Sequence, residues 1–174
     1  HTAALELLVR AGCDMNQAAK DGITPAYSHT AALELLVRAG CDMNQAAKDG
    51  ITPAHLAAAN GQAAALKLLV EAGCDVNQAQ NDGKTPTYVA AEKGQTAALE
   101  LLVGAGCDVN QAIGNGATPA FAAAWKGHAA ALEVLDKAGC DVNKANKYGS
   151  TPAFIAAQNG HTAALELLVK AGCD

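Results

Sequence analysis

Several protein classes are excluded by what this sequence lacks. Aromatic residues make up only 3% of the chain against 51% for all hydrophobic residues, a balance typical of a helical stack rich in Ala and Leu. No apolar run approaches the ~20 residues that cross a membrane, so we expect no membrane insertion. The net charge is −5 with scattered signs. We expect no nucleic-acid partner, because such proteins carry a basic patch.

Motifs of catalysis and metal binding are also missing. No Cys-x2–4-Cys pair occurs, whereas zinc sites usually draw clustered ligands. There is no nucleophile elbow, no phosphate-binding glycine loop and no His-Glu-x-x-His helix. The Gly-x-Gly at residues 114–116 lacks a third glycine and a preceding strand, so it reads as a turn. We therefore predict no enzyme activity, no cofactor and no metal site.

What the chain does contain is a repeat, marked by the triplet Gly-Cys-Asp. Its cysteines are Cys13, Cys41, Cys74, Cys107, Cys140 and Cys173. The first interval is 28 residues and the other four are 33. A fixed period of about 20–50 residues is the signature of a stacked solenoid.

The period divides the chain into parts of a single array. Residues 1–14 are the second half of a repeat, and residues 15–42 are a repeat with an apparent deficit of five residues at 28/29. Residues 43–75, 76–108, 109–141 and 142–174 are full repeats. The deficit has two interpretations. It is either a true deletion, which would remove a first helix, or five residues between Ser28 and His29 are omitted and the numbering runs on without them. The unbroken phase on both sides favours the second interpretation. Because both ends fall within a repeat, we expect an internal fragment of a longer array.

One unit, at residues 80–112, predicts two short helices. Asp82-Gly83 is a turn signal, and Thr85-Pro86 has the cap and first-turn residues of a helix start. The first helix should stop at Gly94. A second helix should run from about Thr96 to Ala105 with an apolar surface wide enough to be buried on more than one side. Ten residues alone form a marginal helix in water, so neighbouring repeats must cover it.

These motifs resemble the ankyrin repeat. The evidence is Gly-Ile-Thr-Pro-Ala-His-Leu-Ala-Ala at residues 50–58 and Gly-Cys-Asp-Val-Asn at residues 73–77, with equivalents along the chain. The resemblance implies an all-α solenoid of stacked antiparallel helix pairs, with turns resembling β-hairpins along one edge. It implies an inter-repeat hydrogen bond from the histidine of Thr-Pro-x-His. That histidine is present only at His55; Tyr88, Phe121 and Phe154 replace it elsewhere.

Cysteine and histidine are read as structural residues. Equivalent positions in neighbouring repeats should lie roughly 8–10 Å apart, whereas a disulfide needs Cα atoms within about 7 Å. We therefore expect free thiols and an intracellular, cytoplasmic setting. We call the position just before the second helix of each repeat the His/Gln slot. It is occupied by His1, His29, Gln62, Gln95, His128 or His161. A slot that accepts both His and Gln predicts a polar helix cap.

Differences between the repeats indicate where a partner would bind. They collect at the turn tips and at the ends of the first helices, which the resemblance places on a concave groove that grips a partner protein. Trp125 is the single tryptophan, and Trp and Tyr often dominate interface energies. The alternative for Trp125 is a space-filling side chain over a neighbouring helix. The candidate residues are Trp125, Tyr148, Lys126, Lys93, Glu92, Lys84, Asp82, Lys147, Asn60 and Lys48.

The predicted function is non-catalytic binding of a partner protein by a monomeric array. The lysines around Trp125 favour a partner segment with some acidic character. One alternative is a structural or elastic spacer in a longer array, which the low diversity between repeats favours. Another is the scaffold part of a larger multidomain protein or effector.

Overall fold

The computed structural model describes residues 30–173. Within that part of the chain there are nine α-helices and no strand. They are α1 (Thr30–Arg38), α2 (Pro53–Ala59), α3 (Ala63–Glu71), α4 (Pro86–Lys93), α5 (Thr96–Gly104), α6 (Pro119–Lys126), α7 (Ala129–Lys137), α8 (Pro152–Gln158) and α9 (Thr162–Lys170). The predicted deficit at Ser28–His29 and the half-repeat at residues 1–14 lie outside the described residues.

The helices form two rows that run along the array. Helices α2, α4, α6 and α8 are the first helices of successive repeats, and each contacts the next in that row. Helices α1, α3, α5, α7 and α9 are the second helices and form the other row. Each first helix also contacts the second helix of its own repeat. The predicted all-α solenoid of helix pairs is confirmed.

The first helices begin and end at the residues that local chemistry predicts. Thr85 has an extended backbone, and its hydroxyl accepts a hydrogen bond from the Tyr88 N–H at 3.2 Å. Pro86 then occupies the first turn of the helix. Thr118 and Thr151 cap their helices in the same way. Gly94 ends α4 at φ +69°, a left-handed conformation that glycine adopts without steric cost.

The core lies between the two rows of helices. Leucines of the second helices are almost completely buried: Leu66, Leu69, Leu99, Leu102, Leu132, Leu135 and Leu168. Fully burying one such side chain contributes roughly 1.5–3 kcal/mol. Alanines such as Ala90 and Ala123 line the first helices at 0% exposure. Their small side chains let neighbouring helices approach closely.

Polar contacts join each repeat to the next at two further places. The Asp108 N–H donates to Asn77 Oδ1 at 2.8 Å, and the equivalent bonds from Asp75 to Asn44 and from Asp141 to Asn110 are present. At the turn tips, the Asn81 N–H donates to the Asp49 carbonyl (3.0 Å) and the Lys147 N–H to the Asn115 carbonyl (2.8 Å). The tips are therefore held together by backbone bonds without forming a strand in residues 30–173.

The inter-repeat bond implied for His55 is present. Its Nδ1 accepts from the Thr52 N–H (3.1 Å) and hydroxyl (2.7 Å). This places the ring proton on Nε2, which donates to the Lys84 carbonyl of the next repeat at 3.0 Å. Burial lowers the pKa of His55, while the Lys84 carbonyl acts in the opposite direction. His55 is therefore a buried structural histidine in its neutral form.

The prediction that the His/Gln slot caps the second helices is wrong. The slot residues in the described repeats make no side-chain bond to their own helix start: Gln62, Gln95, His128 and His161. Instead, Gln95 Nε2 donates to the Ala59 carbonyl (3.2 Å) and His161 Nε2 to the Trp125 carbonyl (3.0 Å), both in the preceding repeat. A Cβ at Gly127 would lie only 2.6 Å from the His161 ring, so the ring packs directly on that glycine.

The thiols follow the expectation from spacing. Cys74, Cys107, Cys140 and Cys173 are free and partly buried. Burial raises the pKa of Cys74 and of Cys140 to about 11. At neutral pH they are protonated thiols that pack against the hydrophobic core.

Candidate partner-binding surface

The turn tips and the first helices form one continuous surface within a repeat. Lys84, on the tip at residues 80–84, has its Nζ 3.5 Å from Glu92 Oε2 near the end of α4 and 3.7 Å from Asp82 Oδ2. The same Nζ lies 5.8 Å from the centre of the Tyr88 ring. A single side chain thus spans from the tip to the helix end. We call the tips and first helices together the tip–helix surface.

Three of the predicted site residues on this surface are engaged with one another. Lys84 contacts both the Asp82 and the Glu92 carboxylates, and the side chains of Lys84 and Glu92 are mostly buried. Burial, together with the charges of Glu92 and Asp82, raises the pKa of Tyr88 beneath them to about 12. This repeat therefore presents a cluster in which two carboxylates outnumber one lysine, and the only lysine of the tip already has partners.

Trp125 is exposed and held in place. It lies in the last turn of α6 with 42% of its surface accessible, and Lys126 Nζ lies 3.9 Å from the centre of its ring. Such a cation–π contact contributes about 0.5–1 kcal/mol at an exposed site. The Trp125 carbonyl accepts from Asn159 Nδ2 (3.2 Å) and His161 Nε2 (3.0 Å) in the next repeat. The backbone that carries the indole is thus fixed by its neighbour.

Tyr148 projects from the most C-terminal tip, with 80% of its surface accessible. Asn146 Oδ1 accepts hydrogen bonds from the Tyr148 N–H (2.9 Å) and the Ser150 N–H (3.0 Å), which closes the turn. The backbone bond from Lys147 to Asn115 ties this tip to the one before it. The aromatic ring is therefore presented on an ordered turn.

The remaining candidates differ in how available they are. Lys93, Lys126 and Lys147 are exposed. Asn60 donates from Nδ2 to the Leu56 carbonyl of its own helix end at 2.9 Å, so its amide is used locally. Lys48 is exposed, and its carbonyl accepts from Asn81 Nδ2 at 2.9 Å.

Comparison with known proteins agrees with this architecture. The family model for ankyrin repeats in three copies matches residues 17–113 and again residues 99–174. The chain belongs to the ankyrin-repeat family. Ankyrin repeats are generally protein–protein interaction modules, and ankyrin-repeat proteins are typically non-catalytic. No curated protein matches the chain.

Two exposed apolar residues of this ankyrin array were missed by sequence reasoning. Phe154 is 56% exposed and Val169 is 62% exposed, although Phe121 and Tyr88 are buried in the slot that Phe154 occupies. The difference arises because the next repeat covers Phe121 and Tyr88, whereas in residues 30–173 no repeat packs over Phe154. The sequence gives no indication of this difference in exposure, because Phe121 and Phe154 are the same residue at equivalent positions.

Residues 30–173 contain no group of three or more His, Cys, Asp or Glu side chains placed to hold a metal ion. None of the helices formed by these residues is long and apolar enough to cross a membrane.

Proposed function

We propose that this ankyrin array is a non-catalytic module that binds a partner protein on the tip–helix surface, with Trp125 and Tyr148 as its anchors. The observation that carries the proposal is the exposure of Trp125 on a fixed backbone. An aromatic side chain held in one place loses little conformational freedom on binding, and this preorganisation favours affinity. The array acts as a monomer in this proposal.

The energetic contribution of the anchors sets the expected effect of removing them. Truncating a hot-spot aromatic residue costs about 2 kcal/mol or more, which corresponds to a roughly 30-fold rise in Kd. Removing Trp125 and Tyr148 together should therefore abolish capture of a partner with micromolar affinity. Both side chains are exposed, so the fold should survive the change.

A pull-down with matched variants tests the proposal. The bait proteins are the wild type, the Trp125→Ala, Tyr148→Ala variant and a Val169→Ala control, which removes an exposed apolar side chain from a second helix, outside the tip–helix surface. Circular dichroism establishes that all three are equally folded. We expect mass spectrometry to identify a protein captured by the wild type and the control but not by the Trp125 variant. Loss of capture only in the control would place binding on the second helices and overturn the proposal, as would equal capture by all three.

The second candidate function is a structural or elastic spacer. The observation that favours it is the same side-chain bond at successive repeat junctions, from Asp75 to Asn44, Asp108 to Asn77 and Asp141 to Asn110. Such uniform junctions suit an element that transmits force or sets a distance. If no protein is captured by any of the three baits, this candidate is the better explanation.

A further inference from the structure

The charge of the tip–helix surface changes along the array. The tip and first helix of each of the last two repeats, at residues 113–126 and 146–158, contain no Asp or Glu. Between residues 93 and 173 the carboxylates lie instead on second helices or in the closing turns: Glu100, Asp108, Glu133, Asp136, Asp141 and Glu166. Over the same stretch, the tip–helix surface carries Lys93, Lys126 and Lys147. A chain with net charge −5 therefore presents a positive section on one surface.

The lysines of this section also differ in pairing from Lys84, Lys67 and Lys137. Lys84 contacts Asp82 and Glu92 within its own repeat. On the second helices, Lys67 and Lys137 pair with glutamates one helical turn away. Within residues 30–173, no ion pair engages Lys93, Lys126 or Lys147. No carboxylate among the described residues neutralises their positive charge, which is therefore available to a partner.

Trp125 and Lys126 combine an apolar surface and a cation at one point. The ammonium lies 3.9 Å from the ring centre, so one of the ring faces is covered. Because an ammonium has three N–H donors and the ring attracts it without using a lone pair, a carboxylate can still accept from Lys126. An apolar side chain of the same ligand can lie against the exposed part of the indole.

We propose that Lys93, Trp125, Lys126, Lys147 and Tyr148 bind an acidic peptide segment of the partner, one that carries apolar side chains between its carboxylates. This inference rests on the proposed function and specifies the chemistry of its ligand. Complementary charge steers such a segment to the surface and fixes its register, while the two aromatic residues provide apolar contact. A nucleic acid is disfavoured, since the section holds three lysines and no arginine within an acidic chain.

A selection from a phage-displayed library of random 12-residue peptides tests the ligand chemistry. The binding variant is Lys93→Gln, Lys126→Gln, Lys147→Gln. Its matched control, Lys67→Gln, Lys137→Gln, Lys170→Gln, removes the same charge from the second helices. We expect the wild type to enrich peptides with an excess of Asp and Glu beside Leu, Phe or Tyr. Each exposed ion pair contributes a factor of about two in affinity. The Kd of these peptides should therefore rise about tenfold for the binding variant and change less than twofold for the control.

Four outcomes would overturn the inference. Enriched peptides could lack an acidic excess, or the two triple variants could weaken binding equally, or polyuridylate RNA could compete as well as the acidic peptide. A selection that enriches no peptide also overturns it. The Trp125→Ala, Tyr148→Ala variant serves as a further bait. Neutral peptides that fail to bind this variant would refute the acidic ligand while supporting the proposed function. The pull-down decides the proposed function independently.

Discussion

Two threonines at the start of α4 allow a direct test of how buried hydroxyl groups act in this fold. Thr85 and Thr87 are each only 1% exposed. The Thr85 hydroxyl accepts the Tyr88 N–H at 3.2 Å, whereas the Thr87 hydroxyl has no hydrogen-bond partner. The same substitution, Thr→Val, should therefore have opposite effects at positions that are two residues apart.

The size of each effect follows from the local contacts. Thr85→Val removes a helix cap, which costs about 1–2 kcal/mol. Thr87→Val replaces an unpaired buried hydroxyl, whose desolvation costs about 1–3 kcal/mol, with a methyl group of similar size. Val and Thr have similar helix propensities, so this variant should be about 1 kcal/mol more stable than the wild type. The equivalent residue in the other described repeats is an alanine: Ala54, Ala120 or Ala153.

The Cys107 thiol is a polar group that interacts with the Thr87 hydroxyl. Burial raises the pKa of Cys107, and the Thr87 hydroxyl acts in the opposite direction by stabilising a thiolate. Because the pKa is raised, Cys107 is a protonated thiol at neutral pH, and a thiol sulfur is a weak acceptor. The geometry lies outside that of a hydrogen bond, so we expect this contact to contribute little to stability.

Urea unfolding and thermal melting of the two variants provide the assay. At about 2–4 °C per kcal/mol for a chain of this length, the two melting temperatures should differ by several degrees, with Thr87→Val the higher. A Thr87→Val variant as destabilised as Thr85→Val would refute the reasoning and show that the hydroxyl has a partner. A double-mutant cycle with Cys107→Ala would then show whether that partner is the thiol.

Three further predictions concern pH, thiol reactivity and packing. Burial lowers the pKa of His55 in the folded state, so the unfolded chain binds more protons and stability is lost as the pH falls below about 6.5. His55→Phe should flatten this slope in urea titrations, and an unchanged slope would contradict the assignment. Cys74, with its pKa near 11, should react with iodoacetamide about a hundredfold more slowly in the native protein than in urea; equal rates would refute its burial. Gly94→Ala should destabilise the fold more than Gly106→Ala, by about 1 kcal/mol. Both glycines have positive φ, but only the new Cβ at Gly94 would meet the His128 ring, at 2.8 Å; equal losses would exclude that clash.

Local features of the fold were predictable from the sequence because their causes lie within a few residues. The cap at Thr85, the proline that follows it and the glycine that ends α4 each act on a single turn. The role of the His/Gln slot was not predictable in this way. His161 bonds to a carbonyl 36 residues earlier, and that direction depends on how two repeats pack rather than on the adjacent helix.

The candidate surface shows the same division. Trp125 was identifiable because it differs from its equivalents in the other repeats, but its exposure depends on what neighbouring side chains cover. Phe121 and Phe154 occupy the same slot, yet one is 8% exposed and the other 56%. The ion pair between Lys84 and Glu92 joins two candidates that were chosen separately. Such an ion pair depends on how far each side chain extends across the surface. The repeat period of the sequence does not determine this.

The bonds between repeats have a consequence for how the array can change in length. In three successive closing turns the aspartate N–H meets an asparagine 31 residues earlier. The donor is a backbone group, so the junction requires only that the asparagine be kept. Removing or duplicating 33 residues at any phase would rejoin the chain across an equivalent junction, with the same bonds and the same buried leucines. Repeats are in this sense interchangeable, and the number of copies is free to vary while the sequence at each junction is constrained.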